Sequence, residues 1–134
     1  MKYLLDTHAF MWFVSDDNRL SSKAKSIIQD GNNEIYFSAA SAWEMSIKSK
    51  LGRLKLVKNL EKFIFEQLTA NSFGPLAITI SHSLYTEKLP QIHKDPFDRM
   101  MISQSKVENM VLITGDKKII EYMILGCTRG IDRI

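Results

Sequence analysis

Four acids in this chain stand where a fold could gather them. Asp6 closes the apolar run "KYLLD", Asp116 follows the apolar run "MVLIT", Asp98 sits in "HKDPFDRMMISQS", and Glu44 lies in "AASAWEMSIKSKLG". The first two end strand-like runs, so in a parallel sheet both reach the carboxyl edge, where open α/β sheets hold ligands. Ala40, Glu44, Ile47 and Leu51 fall on one helical stripe, which aims the Glu44 carboxylate along an apolar face where it needs a partner. Each acid also has a plain structural use. Asp6 and Asp116 suit the N-caps of helices that follow them; Asp95 suits an N-cap, Pro96 the first helical position and Asp98 the first turn; a Lys or Arg reaching Glu44 would neutralise it. Capping, however, does not require the acids to meet. If they do meet, two carboxylates about 4 Å apart repel by about 4 kcal/mol at an effective dielectric near 20, so a cluster calls for a cation. Oxygen-only ligation with retained water suits Mg²⁺ or Mn²⁺, ions of phosphate chemistry. His8, His82 and His93 show no spacing that would assemble a zinc site, and Cys127 has no second cysteine.

The elements that must position these acids follow from pattern and punctuation. "KYLLD" reads as a strand running into the helix "THAFMWFV", and "SSKAKSIIQDG" as a helix with Ser caps and a closing Gly. "EIYFS" has strand composition, and the helix "AASAWEMSIKSKLG" is closed by Gly52 at its C′ position. "NLEKFIFEQLTANS" is an amphipathic helix begun by Asn59, "LAITI" a strand, and "SHSLYTEKL" a short Ser-capped helix ended by Pro90. The helix opened at Asp95 runs to about Asn109; the strand "MVLIT", the turn "GD" and a last helix from about Lys117 complete the alternation. The tail "GCTRGIDRI" is open between a final short strand and an irregular end. Short strands rich in Ile, Leu and Val between helices predict a three-layer α/β/α sandwich around a central parallel sheet of four or five strands.

Composition narrows the function classes. At 134 residues, 45% apolar and 25% charged, the chain is expected to form one folded domain over 1–134, with no repeat or low-complexity tract. The N-terminal apolar stretch is interrupted by Asp6 and His8 and lacks a small-residue cleavage site, so export is not expected. The uncharged stretch from Gln67 to Thr86 is broken by Asn71, Ser72, Gly74 and Pro75, which argues against a membrane helix. A lone Cys127, read as a small buried apolar group, fits a reducing cytoplasm. A net charge of +3 permits a polyanionic partner without requiring one. Lys48, Lys50, Arg53, Lys55 and Lys58 follow Glu44 closely; they form either a solvated face or a phosphate-holding surface. Arg99 suits either a phosphate or an acid, and Phe10, Trp12, Phe13 and Trp43 most simply fill the core.

Four stretches in this order, "LLDTHAFMWF", "SAWEMSIKSKLGRL", "HKDPFDRMMISQS" and "VLITGD", resemble the PIN-domain ribonucleases of the VapC toxin type, the toxic half of prokaryotic type II toxin–antitoxin pairs. The resemblance spans nearly the whole chain and maps the family's acids to Asp6, Glu44, Asp98 and Asp116. It implies a PIN-like fold and a Mg²⁺- or Mn²⁺-dependent endoribonuclease that leaves a 5′-phosphate and a 3′-hydroxyl. Asp6, Glu44 and Asp98 would be the principal ligands, with Asp116 orienting water or a second ion. Asp95 is then a cap or a supporting group, and Thr7 and Thr114 are candidate donors to the acids. A cognate antitoxin and a homodimer are also implied; some of the aromatic residues named above could then form the apolar groove that receives the antitoxin. Two other readings make different demands. A phosphorelay receiver needs an acceptor Asp at the end of a middle strand, yet "EIYFS" ends in Ser and "LAITI" runs into Ser81. A non-catalytic RNA- or protein-binding module on the same fold would not need all four acids.

Overall fold

The computed structural model describes residues 1–54, 58–92, 94–124 and 129–131. Lys55, His93, Cys127 and most of the tail therefore lie outside the described residues. The elements alternate as expected: β1 (Lys2–Leu5), α1 (Thr7–Val14), α2 (Ser22–Gln29), β2 (Glu34–Ser38), α3 (Ala39–Lys50), α4 (Leu60–Asn71), β3 (Gly74–Leu76), α5 (Ile80–Tyr85), α6 (Pro96–Val107), β4 (Val111–Ile113), α7 (Lys117–Ile124) and β5 (Arg129–Ile131). A 3-10 turn at Thr86–Lys88 extends α5. The five strands form one sheet in the order β3-β2-β1-β4-β5, and every pairing is parallel.

Side-chain alternation along the strands divides the core in two. Leu5, Ile35, Phe37 and Ile113 face one layer of helices, packing with Ala9 and Phe10 of α1, Ile28 of α2 and Ile64 of α4. Leu4 and Leu112 face the other, with Met101 and Ile102 of α6 and Ile119 of α7. The three-layer sandwich is thus present, and "EIYFS", "KYLL" and "VLI" are its buried middle strands. The tail resolves as a short strand, because Arg129–Ile131 pairs with β4.

Two local expectations are corrected. The strand placed at "LAITI" lies earlier, at Gly74–Leu76, and Ile80 already begins α5. Pro75 read as a breaker, yet β3 is an edge strand, where a missing N–H is tolerated. Gly74 is needed beside it: a Cβ there would sit 2.8 Å from the ring of Tyr36, its partner in register. The cap of α5 is Thr79 rather than Ser81. Thr79 Oγ1 accepts from the His82 amide at 3.1 Å, and the Thr79 amide donates back to His82 Nδ1 at 3.0 Å.

One buried polar chain ties β2 to α3 and α6. Ser38 ends β2 and caps α3, accepting from the Ala40 amide at 3.0 Å, while its hydroxyl donates to Gln104 Oε1 of α6. Gln104 is fully buried, and its Nε2 donates to Ala77 O at 3.3 Å. A Gln104→Leu substitution keeps the volume but strands both partners. It is expected to destabilise the fold by about 2 kcal/mol, read as a lower urea midpoint with an unchanged slope.

Candidate active site

The paired strand ends set the positions of the acids. Leu5 is in register with Phe37 on one side and Ile113 on the other, so β1, β2 and β4 finish at nearly one level. Chain continuity runs from β1 by way of α1 and α2 to β2 on one side, while β4 pairs on the other, which makes the β1–β4 junction the switch point of the sheet. Asp6 occupies that junction. Its amide continues the ladder to Ile113 O at 3.2 Å, and its Oδ1 accepts from the Ala9 amide at 2.7 Å as the N-cap of α1. Across the junction Thr114 is buried, and Asp116 caps α7, accepting from the Lys118 amide at 2.8 Å. Glu44 projects from α3, which springs directly from the end of β2. On α6, Asp95 Oδ1 accepts from the amides of Phe97 and Asp98 at 2.9 and 3.1 Å, and this cap sets Asp98 in the first turn.

These elements close around a cavity of about 180 Å³ lined by Asp6, Thr7, His8, Glu44, Lys48, Asp95, Asp98 and Asp116. All four acids singled out in the sequence therefore line one cavity, together with Asp95. Capping and convergence prove compatible, since Asp6, Asp95 and Asp116 each cap a helix and line the cavity at once. Glu44 has two immediate partners: Thr7 Oγ1 donates to its Oε1 at 2.6 Å, and Lys48 Nζ lies 2.9 Å from its Oε2. Thr7 Oγ1 also lies 2.9 Å from Ser41 Oγ, which fixes the threonine rotamer.

Asp6 is the electrostatically costly group. It is 3% exposed, and burial pushes its carboxyl from the ordinary 3.8 up to about 6. Hydrogen bonds from Thr114 and the Ala9 amide pull in the opposite direction, while the negative charges of Asp116 and Glu44 add to the rise. The donor set is oxygen-rich and anionic, which fits a hard divalent cation. Among the described residues no three His, Cys, Asp or Glu side chains form a ready-made metal cage. The carboxylates instead line the walls of a cavity with room for water, and Mg²⁺ keeps much of its hydration.

The basic residues read from the sequence separate in space. Lys48 lines the acidic cavity, and Arg53 lines an adjoining cavity of about 260 Å³. Lys50, at the end of α3, and Lys58 are exposed and belong to neither lining. Arg99 also lies outside both linings; its Nη1 donates to Pro90 O and its Nη2 to Thr86 O, both at 2.9 Å, bracing α6 against the segment after α5. The apolar stripe assigned around Glu44 is not a core stripe. Of its members Ala40 is buried, but Ile47 and Leu51 are 40% and 60% exposed, and Ser41 and Met45 join Ala40 in facing inward. Trp43 is 59% exposed and packs edge-on against Phe97 at 5.0 Å, so it is no core residue, whereas Phe10 is. Trp12 and Phe13, read as core residues, are partly buried and pack against the core, and Trp12 also lines the adjoining cavity with His8 and Arg19, two residues to which the sequence reading gave no role there. His8 and Trp12 stand four apart on α1, a spacing that brings two rings onto one helix face.

A doubly wound parallel sheet with an acidic cleft at its switch point defines the general class, and comparison with known proteins makes it specific. The PIN domain family model matches residues 3–124, and the chain belongs to that family. Ribonuclease VapC16 of Mycobacterium tuberculosis is 30% identical over 64 residues, 48% of this chain and 45% of that protein, so the match spans about half of its length. The fold is similar to that in the VapBC2 complex of Rickettsia felis bound to a DNA fragment from its promoter, with a TM-score of 0.72, 14% identity and 98% of each chain covered. It is also similar to VapBC-1 from nontypeable Haemophilus influenzae, with a TM-score of 0.68, 21% identity and 98% of each chain covered. At these identities the likeness to the solved structures is one of fold.

The raised Asp6 value makes stability depend on pH in a definite direction. Below about pH 4 the carboxyl is neutral in both folded and unfolded chains and costs nothing. As pH rises through about 6 the unfolded chain gains its charge first, so metal-free folding weakens, by about 3 kcal/mol in full. Asp6→Asn keeps the cap and removes the charge. In EDTA at neutral pH the variant should be more stable than the parent by up to about 3 kcal/mol, and chemical denaturation across pH 4–7 should show the slope flattened. Added Mg²⁺ should narrow the gap by stabilising the parent.

Proposed function

We propose that this protein is a metal-dependent endoribonuclease and the toxin of a toxin–antitoxin pair. The observation that carries this reading is the convergence of Asp6, Glu44, Asp98 and Asp116, from four separate elements, on one cavity at the carboxyl edge of the sheet. A non-catalytic binding module would not need four carboxylates gathered in one cleft. Membership in the PIN domain family and the partial match to a protein named a ribonuclease support the chemistry.

Asp6, Glu44 and Asp98 would hold Mg²⁺ or Mn²⁺, directly or through water, with Asp116 orienting water or binding a second ion. When bound, such an ion lowers the pKa of an attached water and offsets the charge that builds on a phosphodiester. The chain's own residues prepare the cleft for this. Thr7 and Lys48 grip the two oxygens of Glu44 and hold it in one rotamer. Thr114 bonds the Asp6 carboxylate and, through the Asp116 amide at 3.1 Å, keeps the two strand-end acids in fixed relation. The Asp95 cap and the Arg99 brace fix the first turn of α6, and with it Asp98. In-line attack of water on phosphorus, with departure of the 3′-oxygen, would leave a 5′-phosphate and a 3′-hydroxyl.

An antitoxin partner is supported by the structural likeness to VapBC proteins and by apolar surface suited to a helix. A groove of about 330 Å³ is lined by Phe37, Ala42, Ile64, Phe65, Leu68 and Pro75, among others, and the exposed Trp43, packed against the half-buried Phe97, adds further apolar surface. A homodimer and a cytoplasmic location belong to the same reading; among the described residues no helix is long and apolar enough to cross a membrane.

Purified protein is expected to cut RNA with Mg²⁺ or Mn²⁺ and to stop in EDTA. Asp6→Asn and Asp98→Asn should each lower the cleavage rate by at least about a hundredfold while far-UV circular dichroism stays unchanged. Parental rates in both variants would remove the assigned site.

A further inference from the structure

The cavity beside the acids has features that metal binding does not explain. It shares Thr7, His8 and Lys48 with the acidic cavity, so the two adjoin, and it is also lined by Trp12, Asp17, Arg19 and Arg53. His8 and Trp12 stack with ring centroids 5.7 Å apart and planes 23° from parallel. The Arg19 guanidinium lies over the Trp12 ring at 5.0 Å, and a forked pair to Asp17 fixes it there, with Nη2 2.7 Å from Oδ2. An exposed imidazole is thereby backed by an indole and a held guanidinium, giving a flat plate at the mouth of the acidic cleft.

The charges divide in an informative way. Arg19 is matched by Asp17 and Lys48 by Glu44, whereas Arg53 has no carboxylate partner among the described residues. One flat aromatic face, one unmatched cation and a neighbouring site for a phosphodiester repeat the plan of a nucleotide: base, phosphate and the next phosphate along. Aromatic side chains accept bases that are splayed out of a stack, and every base offers a π-face.

We propose that this cavity is a nucleotide subsite in which an unpaired RNA base next to the scissile phosphate stacks on the His8–Trp12 plate while Arg53 meets its phosphate. The proposal deepens the ribonuclease reading and rests on it for the identity of the polymer. His8, Trp12 and Arg53 bind and place the substrate, and Arg19 with Asp17 positions the plate. The subsite favours single-stranded segments, because a base within a duplex has no free face to offer.

The test uses Trp43→Phe protein, in which Trp12 is the sole indole, with Asp6→Asn added to prevent turnover. Titration with a short single-stranded RNA in Mg²⁺ should quench Trp12 emission, and a duplex of the same sequence should not. His8→Ala should weaken binding about tenfold, His8→Phe should restore it by returning a flat ring, and Arg53→Ala should weaken it to a similar degree. With Asp6 intact, His8→Ala and Arg53→Ala should raise KM while kcat changes little. Unquenched Trp12, or equal affinity in parent, His8→Ala and His8→Phe proteins, overturns the subsite; if RNA is still cut, the ribonuclease reading survives alone. If the parent cuts no RNA yet the quenching and its dependence on His8 appear, the subsite stands and the catalytic reading falls.

Discussion

The cost of burying one carboxylate governs this molecule. Asp6 sits between the ends of two parallel strands, almost out of contact with water, and among the described residues the charges that act on it are those of two further acids, Asp116 and Glu44. Such a group is unfavourable when charged, by an amount comparable to a sizeable part of a small domain's net stability. The fold tolerates it because the same oxygen that suffers desolvation also caps α1, and because Thr114 bonds it from the neighbouring strand. The cleft is therefore an anionic cavity, which the proposed divalent ion would complement.

Around that constraint the other acids are relieved to different degrees. Glu44 has a lysine one helical turn away and a threonine hydroxyl, so its orientation is fixed before any ligand arrives. Asp95 and Asp116 have amide donors at helix starts, where the local dipole favours negative charge. The arrangement depends on anchorage well away from the charges. Ser38 and Gln104 tie the start of α3 to α6, and Arg99 ties α6 to the carbonyls before it, so the elements carrying Glu44 and Asp98 are anchored to one another.

The residues shared by the acidic cavity and the aromatic one beside it link stability to the proposed recognition. Residues 6 to 8 lie at the end of a strand and the start of a helix, and consecutive side chains there serve different ends: Asp6 turns inward, Thr7 steadies Glu44, and His8 reaches out to Trp12. A short stretch of chain can do this because the first helical turn fans successive side chains about 100° apart, onto different faces.

The order and type of nearly every element could be read from period and punctuation, since strands of alternating or continuous apolar residues and capped amphipathic helices are local properties. The same patterns put Asp6 and Asp116 at strand ends and Asp95 at a cap, and the ordered motifs pointed to the family. What local pattern misjudged were matters of environment. Pro75 was compatible with a strand because that strand lies at the sheet edge; Ile47, Leu51 and Trp43 are apolar yet face outward because α3 stands at the carboxyl edge, where only its inner face meets other layers. Neither could be known before the strand order was. The sequence by itself thus determined which backbone elements form and which acids lie at their ends, since hydrogen bonding and burial periodicity act over a few residues. Only the tertiary structure decided that four of those acids share one cavity, that Lys48 answers Glu44 and that Arg99 braces backbone, because charge interactions depend on through-space distance that the chain settles only when its layers close.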